Sequence, residues 1–139
     1  VEGMGHINFA AEIIDRKGIT ERVTLNGMTL MNWEIFPLPF DDNYIKNLKT
    51  TPEIKAKQGM FFKGSFILNE AADTFIDMTN YTKGVVWVNG HNLGRYWEIG
   101  PQKRLYCPAC WLKKGENQII VFDSHQMEAK PVKGHKTLY

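Results

Sequence analysis

The sequence predicts an all-β domain, a β-sandwich of jelly-roll type, and three observations carry that prediction. Short runs rich in β-branched and aromatic residues recur along the 139 residues. Asn-Gly pairs stand between alternating hydrophobics at 26–27 and 89–90, the strongest short-range signal of a β-hairpin because both residues accept positive φ. Almost no segment shows helical spacing of its apolar residues, so many short strands joined by turn chemistry are the natural solution.

In chain order, Ile7 and Phe9 alternate, and Asp15-Arg16-Lys17-Gly18 reads as a polar turn. Ile19 to Leu25 reads as a strand, closed by Asn26-Gly27, with Thr29-Leu30-Met31 and Trp33 to Phe36 returning. Pro37-Leu38-Pro39 stops the pairing, since proline donates nothing to a ladder. Tyr44, Ile45 and Leu48 fall at helical spacing after an Asp cap, which predicts a short helix over 41–48. Residues 49–58 form a polar connector containing Pro52.

Met60 to Leu68 is the clearest alternating strand: Phe62, Phe66 and Leu68 share one face, Phe61, Lys63 and Ser65 the other. Thr74 to Met78 is a further strand. Val85 to Val88 is apolar on both faces, as in a central strand covered on both sides, and Leu93 to Trp97 is its hairpin partner. Leu105-Tyr106 starts a short strand, Pro108 to Leu112 fits one helical turn, Ile119 to Phe122 is a last buried strand, and 126–139 reads as a basic tail.

Composition excludes several function classes. The formal net charge of +2 supplies no field toward nucleic acid or an anionic membrane. No apolar run approaches the roughly 20 residues that span a bilayer. The opening Val1-Glu2-Gly3 has neither initiator Met nor signal peptide, as expected of a piece of a longer polypeptide. Cys107 and Cys110 form a C-P-A-C, yet His6, His91, His125 and His135 lack ligand spacing, and a redox pair of this kind would open a helix after a parallel strand. Packed thiols are the expectation, with no metal site and no cofactor.

Catalytic patterns are also missing. Ser124 and His125 adjoin, but neighbours on a strand point to opposite faces. Glu34, Asp77, Glu98 and Asp123 are each explicable as strand or turn residues, so no carboxylate pair stands out for glycoside hydrolysis and no catalytic residue is nominated. Sugar binding has a better basis. Aromatic rings stack on pyranose faces while Arg, Asn and His bond the hydroxyls, and His91, Asn92, Arg95, Tyr96 and Trp97 supply all of these beside one hairpin. The competing reading is structural: Arg95 and Trp97 share a face, Tyr96 takes the other, and an Arg packed on a ring closes many sandwich corners.

A resemblance rests on these same residues. Gly84 to Trp97 (GVVWVNGHNLGRYW), Gly100-Pro101-Gln102, Leu105-Tyr106 with Pro108, Trp111-Leu112-Lys113 and Glu116 to Phe122 resemble the C-terminal region of family 35 β-galactosidases. Val1-Glu2, Met4-Gly5, Ile7-Asn8, Asp15 to Ile19, Trp33 to Leu38, then Phe62, Gly64, Phe66 and Asp73 to Met78 are similar to the stretches that precede it. The resemblance implies a galactose-binding-domain-like jelly roll, non-catalytic, in a parent whose separate (β/α)8 barrel hydrolyses terminal β-galactosides with retention. A barrel does not fit into 139 residues. The family has an aliphatic and a variable residue where Cys107 and Cys110 stand, which favours packing for the pair.

The expectation is therefore one sandwich over 1–139, with 1–40 a partial unit or an arm and 126–139 a basic tail. It supports the catalytic barrel of its own polypeptide and is no enzyme alone; the alternative is a carbohydrate-binding module for galactose-type sugars. Nucleic acid and membrane are excluded as partners, and the resemblance implies an exported parent, periplasmic, extracellular or lysosomal.

Overall fold

Residues 1–38 and 39–139 form separate units; the computed structural model describes residues 9–14, 18–51 and 57–139, excepting the side chain of Glu12. The alternation at Ile7, the turn at 15–17 and the middle of the connector at 52–56 lie outside the described residues.

The first unit has a 3-10 turn at Ala10–Ile14 and one hairpin, β1 (Thr24–Leu25) and β2 (Met28–Thr29). Asn26 and Gly27 take φ of 49° and 82° at its turn, the left-handed pair that matches strand twist. The longer strands expected over 19–25 and 29–36 are absent: the ladder pairs only Thr24 with Thr29 and Leu25 with Met28. Among the described residues no third strand joins this ribbon, and a two-stranded ribbon alone is marginal in water. Leu25, Met28, Met31, Trp33, Ile35 and Phe36 are each more than half exposed, so the hairpin and the segment after it leave most of their apolar side chains uncovered.

The second unit is a two-layer sandwich. Its strands are β3 (Met60–Leu68), β4 (Thr74–Asp77), β5 (Lys83–Val88), β6 (His91–Trp97), β7 (Arg104–Cys107), β8 (Gly115–Asp123) and β9 (Lys133–His135). One sheet runs β3-β8-β5-β6, the other β7-β4-β9, and every pairing is antiparallel. Ile76, Val86, Val88, Leu105, Cys107 and Val121 meet between the sheets, with Phe62, Phe66 and Leu68 of β3 packed against them. The period-2 alternation of β3 thus delivers the faces that its sequence predicts.

The outer face of the four-stranded sheet has a second core. The helix α1 (Asp42–Lys46) starts at Asp41, whose Oδ1 accepts from the Tyr44 amide at 2.8 Å. It lays Ile45 on Trp87 and Ile120, ringed by Phe40, Phe61 and Phe122. Phe122 lies 4.8 Å from Phe40 and 5.0 Å from Phe61 between ring centroids, contacts that add to their burial. Val86 and Trp87 consequently bury opposite faces of one strand, as expected of a covered central strand.

The stretch read as a basic tail contains β9, which joins β4 and pairs Gly134 with Ile76. Neither apolar alternation nor β-propensity marks Lys133-Gly134-His135, so the pattern gives no sign of it. It is held from outside: Thr74 Oγ1 donates to His135 O, Asn80 Nδ2 to Pro131 O and Tyr81 Oη to Lys130 O.

Candidate functional site: the β5–β6 hairpin and its surroundings

The Asn89-Gly90 turn does more than reverse the chain. Asn89 takes φ of 49°, and its Nδ2 donates to Trp111 O at 2.7 Å and to Asn117 Oδ1 at 2.8 Å, while its Oδ1 accepts from Gln118 N. Asn117 is fully buried; its Oδ1 also accepts from Lys113 N, and its Nδ2 donates to Lys113 O and Gly115 O. Every polar atom of this amide has a partner, which burial demands. The hairpin tip is thereby tied to the turn that precedes β8.

A bulge decides where the next residues face. Val86 pairs with Gly94 but Trp87 with Asn92, so Leu93 is the extra residue. Gly94 takes φ of 110° and its amide donates to Asn92 Oδ1 at 2.8 Å. Cross-strand partners share a face. Asn92, Arg95 and Trp97 therefore stand on the outer face opposite Trp87, Val85 and Lys83, and Tyr96 turns inward opposite Gly84.

The five candidate sugar ligands accordingly divide. His91 and Asn92 are exposed at the hairpin end, the His91 ring stacked on Trp111 at 4.7 Å with 9° between planes. Arg95 is exposed and engaged in an interaction of its own. Trp97 is half-buried, with Lys83 Nζ 4.5 Å from its ring centroid. Tyr96 is buried, and its hydroxyl lies 2.8 Å from Phe122 O and 3.0 Å from Asp123 Oδ2. Burial first, then the charge and hydrogen bond of Asp123, push the Tyr96 phenol far above its ordinary range. It stays protonated, a donor inside the sandwich. Gly84 makes room for it: a Cβ there would run into the Phe122 carbonyl and the Tyr96 hydroxyl.

The acidic residues are equally committed. Asp123, fully buried, accepts from Thr82 N through Oδ2 and from His125 N and Gln126 N through Oδ1, closing the end of β8 onto the loop before β5. Asp77 bonds the Thr79 amide and hydroxyl and the Arg104 Nε at 3.1 Å. Burial would raise its pKa, but the Thr79 bonds and then Arg104 outweigh it and hold the carboxyl below its usual value. His135 Nε2 lies 3.1 Å from Asp77 Oδ2 without the alignment of a hydrogen bond.

One expectation is overturned here. Ser124 Oγ and His125 Nδ1 do meet, at 2.8 Å, because β8 ends at Asp123 and strand alternation stops with it. Ser124 Oγ also reaches Lys83 O at 3.0 Å, so its proton has a backbone acceptor that competes with the imidazole, unlike that of a nucleophile dedicated to its base. The sequence shows the two residues side by side but not their contact, which forms because the chain leaves strand geometry after Asp123. Of the two thiols expected to be packed, Cys107 is buried but Cys110 is exposed, because it lies in the 3-10 turn after β7, and both are free; burial pushes the Cys107 thiol up to about 11, away from reactivity. Among the described residues no group of His, Cys, Asp or Glu could hold a metal.

Among the described residues the second unit is thus a seven-strand antiparallel sandwich in which Asp77, Asp123 and Tyr96 are committed to hydrogen bonds. Residues 59–117 match the family model described as "Beta-galactosidase, galactose-binding domain", and residues 1–39 match "Beta-galactosidase, first all-beta domain". The chain is 41% identical over 133 residues to human "Beta-galactosidase-1-like protein 2", 37% over 142 to Arabidopsis thaliana "Beta-galactosidase 17", and 33% over 132 to Dictyostelium discoideum "Beta-galactosidase 1". These matches take in 88–89% of this chain and 20% of each relative, so it spans about a fifth of their length. The chain belongs to the β-galactosidases, as part of their non-catalytic β-domain region.

Proposed function

We propose that this chain is the C-terminal supporting region of a β-galactosidase, packed against a (β/α)8 barrel of the same polypeptide that hydrolyses terminal β-galactosides with retention. One observation carries the reading: the apolar row from Leu25 to Phe36 that lacks cover within its own unit. Surfaces of this kind mark contacts with further protein. Two carboxyls placed for retaining hydrolysis would lie in the barrel, since Asp77 and Asp123 are spent on holding loops here. The isolated chain is expected to leave a chromogenic β-galactoside intact. Removing residues 1–139 from the full-length enzyme should shorten its half-life on heating; unchanged heat inactivation would refute the supporting role.

A second reading, a module that binds galactose-type sugars, draws on exposed His91, Asn92 and Arg95 beside half-buried Trp97. Tyr96, inside the sandwich, contributes position and no contact surface. Titration with galactose should then shift the amides of 91–97 at sub-millimolar sugar, and a flat titration would remove this reading.

A further inference from the structure

The sandwich is closed along one side and open along the other. Edge strands β6 and β7 lie against one another. On the opposite side, β3 and β9 are the edges of their sheets, and between them runs a cavity of about 570 Å³ that reaches the inter-sheet core. Phe62, Phe66, Leu68, Ile76 and Val132 line it. Lys63, Lys130, Lys133 and Lys136 stand along it against Glu70 and Asp73, with Lys130 also paired to Glu128.

The backbone says what the opening fits. β3 pairs with β8 through nine consecutive positions without a bulge, and among the described residues no strand pairs with its other edge. Its far side therefore presents an unbroken row of amides and carbonyls, an arrangement that proteins cover or blunt. β3 contains neither proline nor bulge to blunt it. Ile67, on the outer face of the same strand, is 78% exposed and would gain a cross-strand neighbour from any added strand.

We propose that the β3 edge accepts one further strand, supplied by a segment of the longer polypeptide outside these 139 residues. Alternate apolar side chains of that segment enter the cavity between β3 and β9, and acidic residues face the lysines. The four-stranded sheet becomes five-stranded and the sandwich is sealed. This rests on the reading of the chain as part of a larger β-galactosidase, in which about four-fifths of the relatives' length lies elsewhere. A small ligand would suit the volume but would leave nine residues of backbone edge unpaired. A second copy would bring only the same β3 edge, and a rise of protection with concentration distinguishes it.

Hydrogen exchange followed by mass spectrometry, on the isolated chain and on the full-length polypeptide, tests this. Edge amides in 60–68 should exchange quickly in the isolated chain and at least about tenfold more slowly in the full-length protein. Residues 25–38 serve as the internal reference. If 25–38 gain protection and 60–68 do not, the added strand is refuted while the supporting role stands; if neither does, both fall. Protection of 60–68 already present in the isolated chain, or rising with its concentration, would assign the edge to this chain itself or to a second copy and overturn the proposal.

Discussion

The molecule contains the same dipeptide turn twice, with opposite consequences. Asn26-Gly27 and Asn89-Gly90 both take left-handed φ, 49° and 82° in one case, 49° and 85° in the other. The first joins strands of two residues whose neighbours are exposed. The second joins strands that line a core and bonds through its Asn side chain to Trp111, Asn117 and Gln118. Turn chemistry sets the local reversal in both. Only burial and a third strand turn a reversal into a stable element.

Substitutions can break this contrast, and the largest effects belong to the sandwich. Trp87→Ala empties the contact between α1 and the sheet and should cost roughly 3–5 kcal/mol of unfolding free energy in denaturant titration. Gly84→Ala should cost about 3 kcal/mol, since the added methyl forces the Phe122 carbonyl and the Tyr96 hydroxyl apart. Asn89→Gly keeps the positive φ but deletes the side-chain bonds and exposes the desolvated Asn117 amide to loss of a partner, for about 1–3 kcal/mol. Asn26→Gly should stay within about 0.5 kcal/mol, which calorimetry on the two Gly variants compares directly.

The smallest effect is on pH dependence. The Asp77 carboxyl is held below its ordinary value, so its folded form favours the ionised group more than the unfolded chain does. Its contribution is complete above the unfolded pKa of about 4 and is lost as pH falls through the lower folded value. Stability measured between neutral pH and pH 3 should fall less steeply in Asp77→Asn than in the parent chain.

The legible parts of the fold are those that one strand or one turn encodes. Alternation in Met60 to Leu68, the two-faced apolar run Val85 to Val88 and the Asp41 cap each specify their element without help. Over residues 19–36 the ladder holds only two pairs, because β-propensity yields a ladder only where partners exist. β9 has no local signal, because Gly134 beside Thr74 and the bonds from Asn80 and Tyr81 hold it from elsewhere in the chain. At the hairpin, the sequence placed Arg95 and Trp97 opposite to Tyr96, as the register does. It could not show the Asn89–Asn117 network, the bonds gathered on Asp123 or the Ser124–His125 contact, which arise only when distant segments meet.

Cover of the apolar row of residues 25–38 by the rest of a β-galactosidase is tested most directly by Trp33→Ala. Trp33 is 57% exposed, so in the isolated chain the substitution should change unfolding free energy by no more than about 0.5 kcal/mol. In the full-length enzyme it should lower the midpoint of heat inactivation by roughly 5 °C or more, as loss of a buried ring does. An equal and negligible effect in both would show that Trp33 stays uncovered in the full-length enzyme.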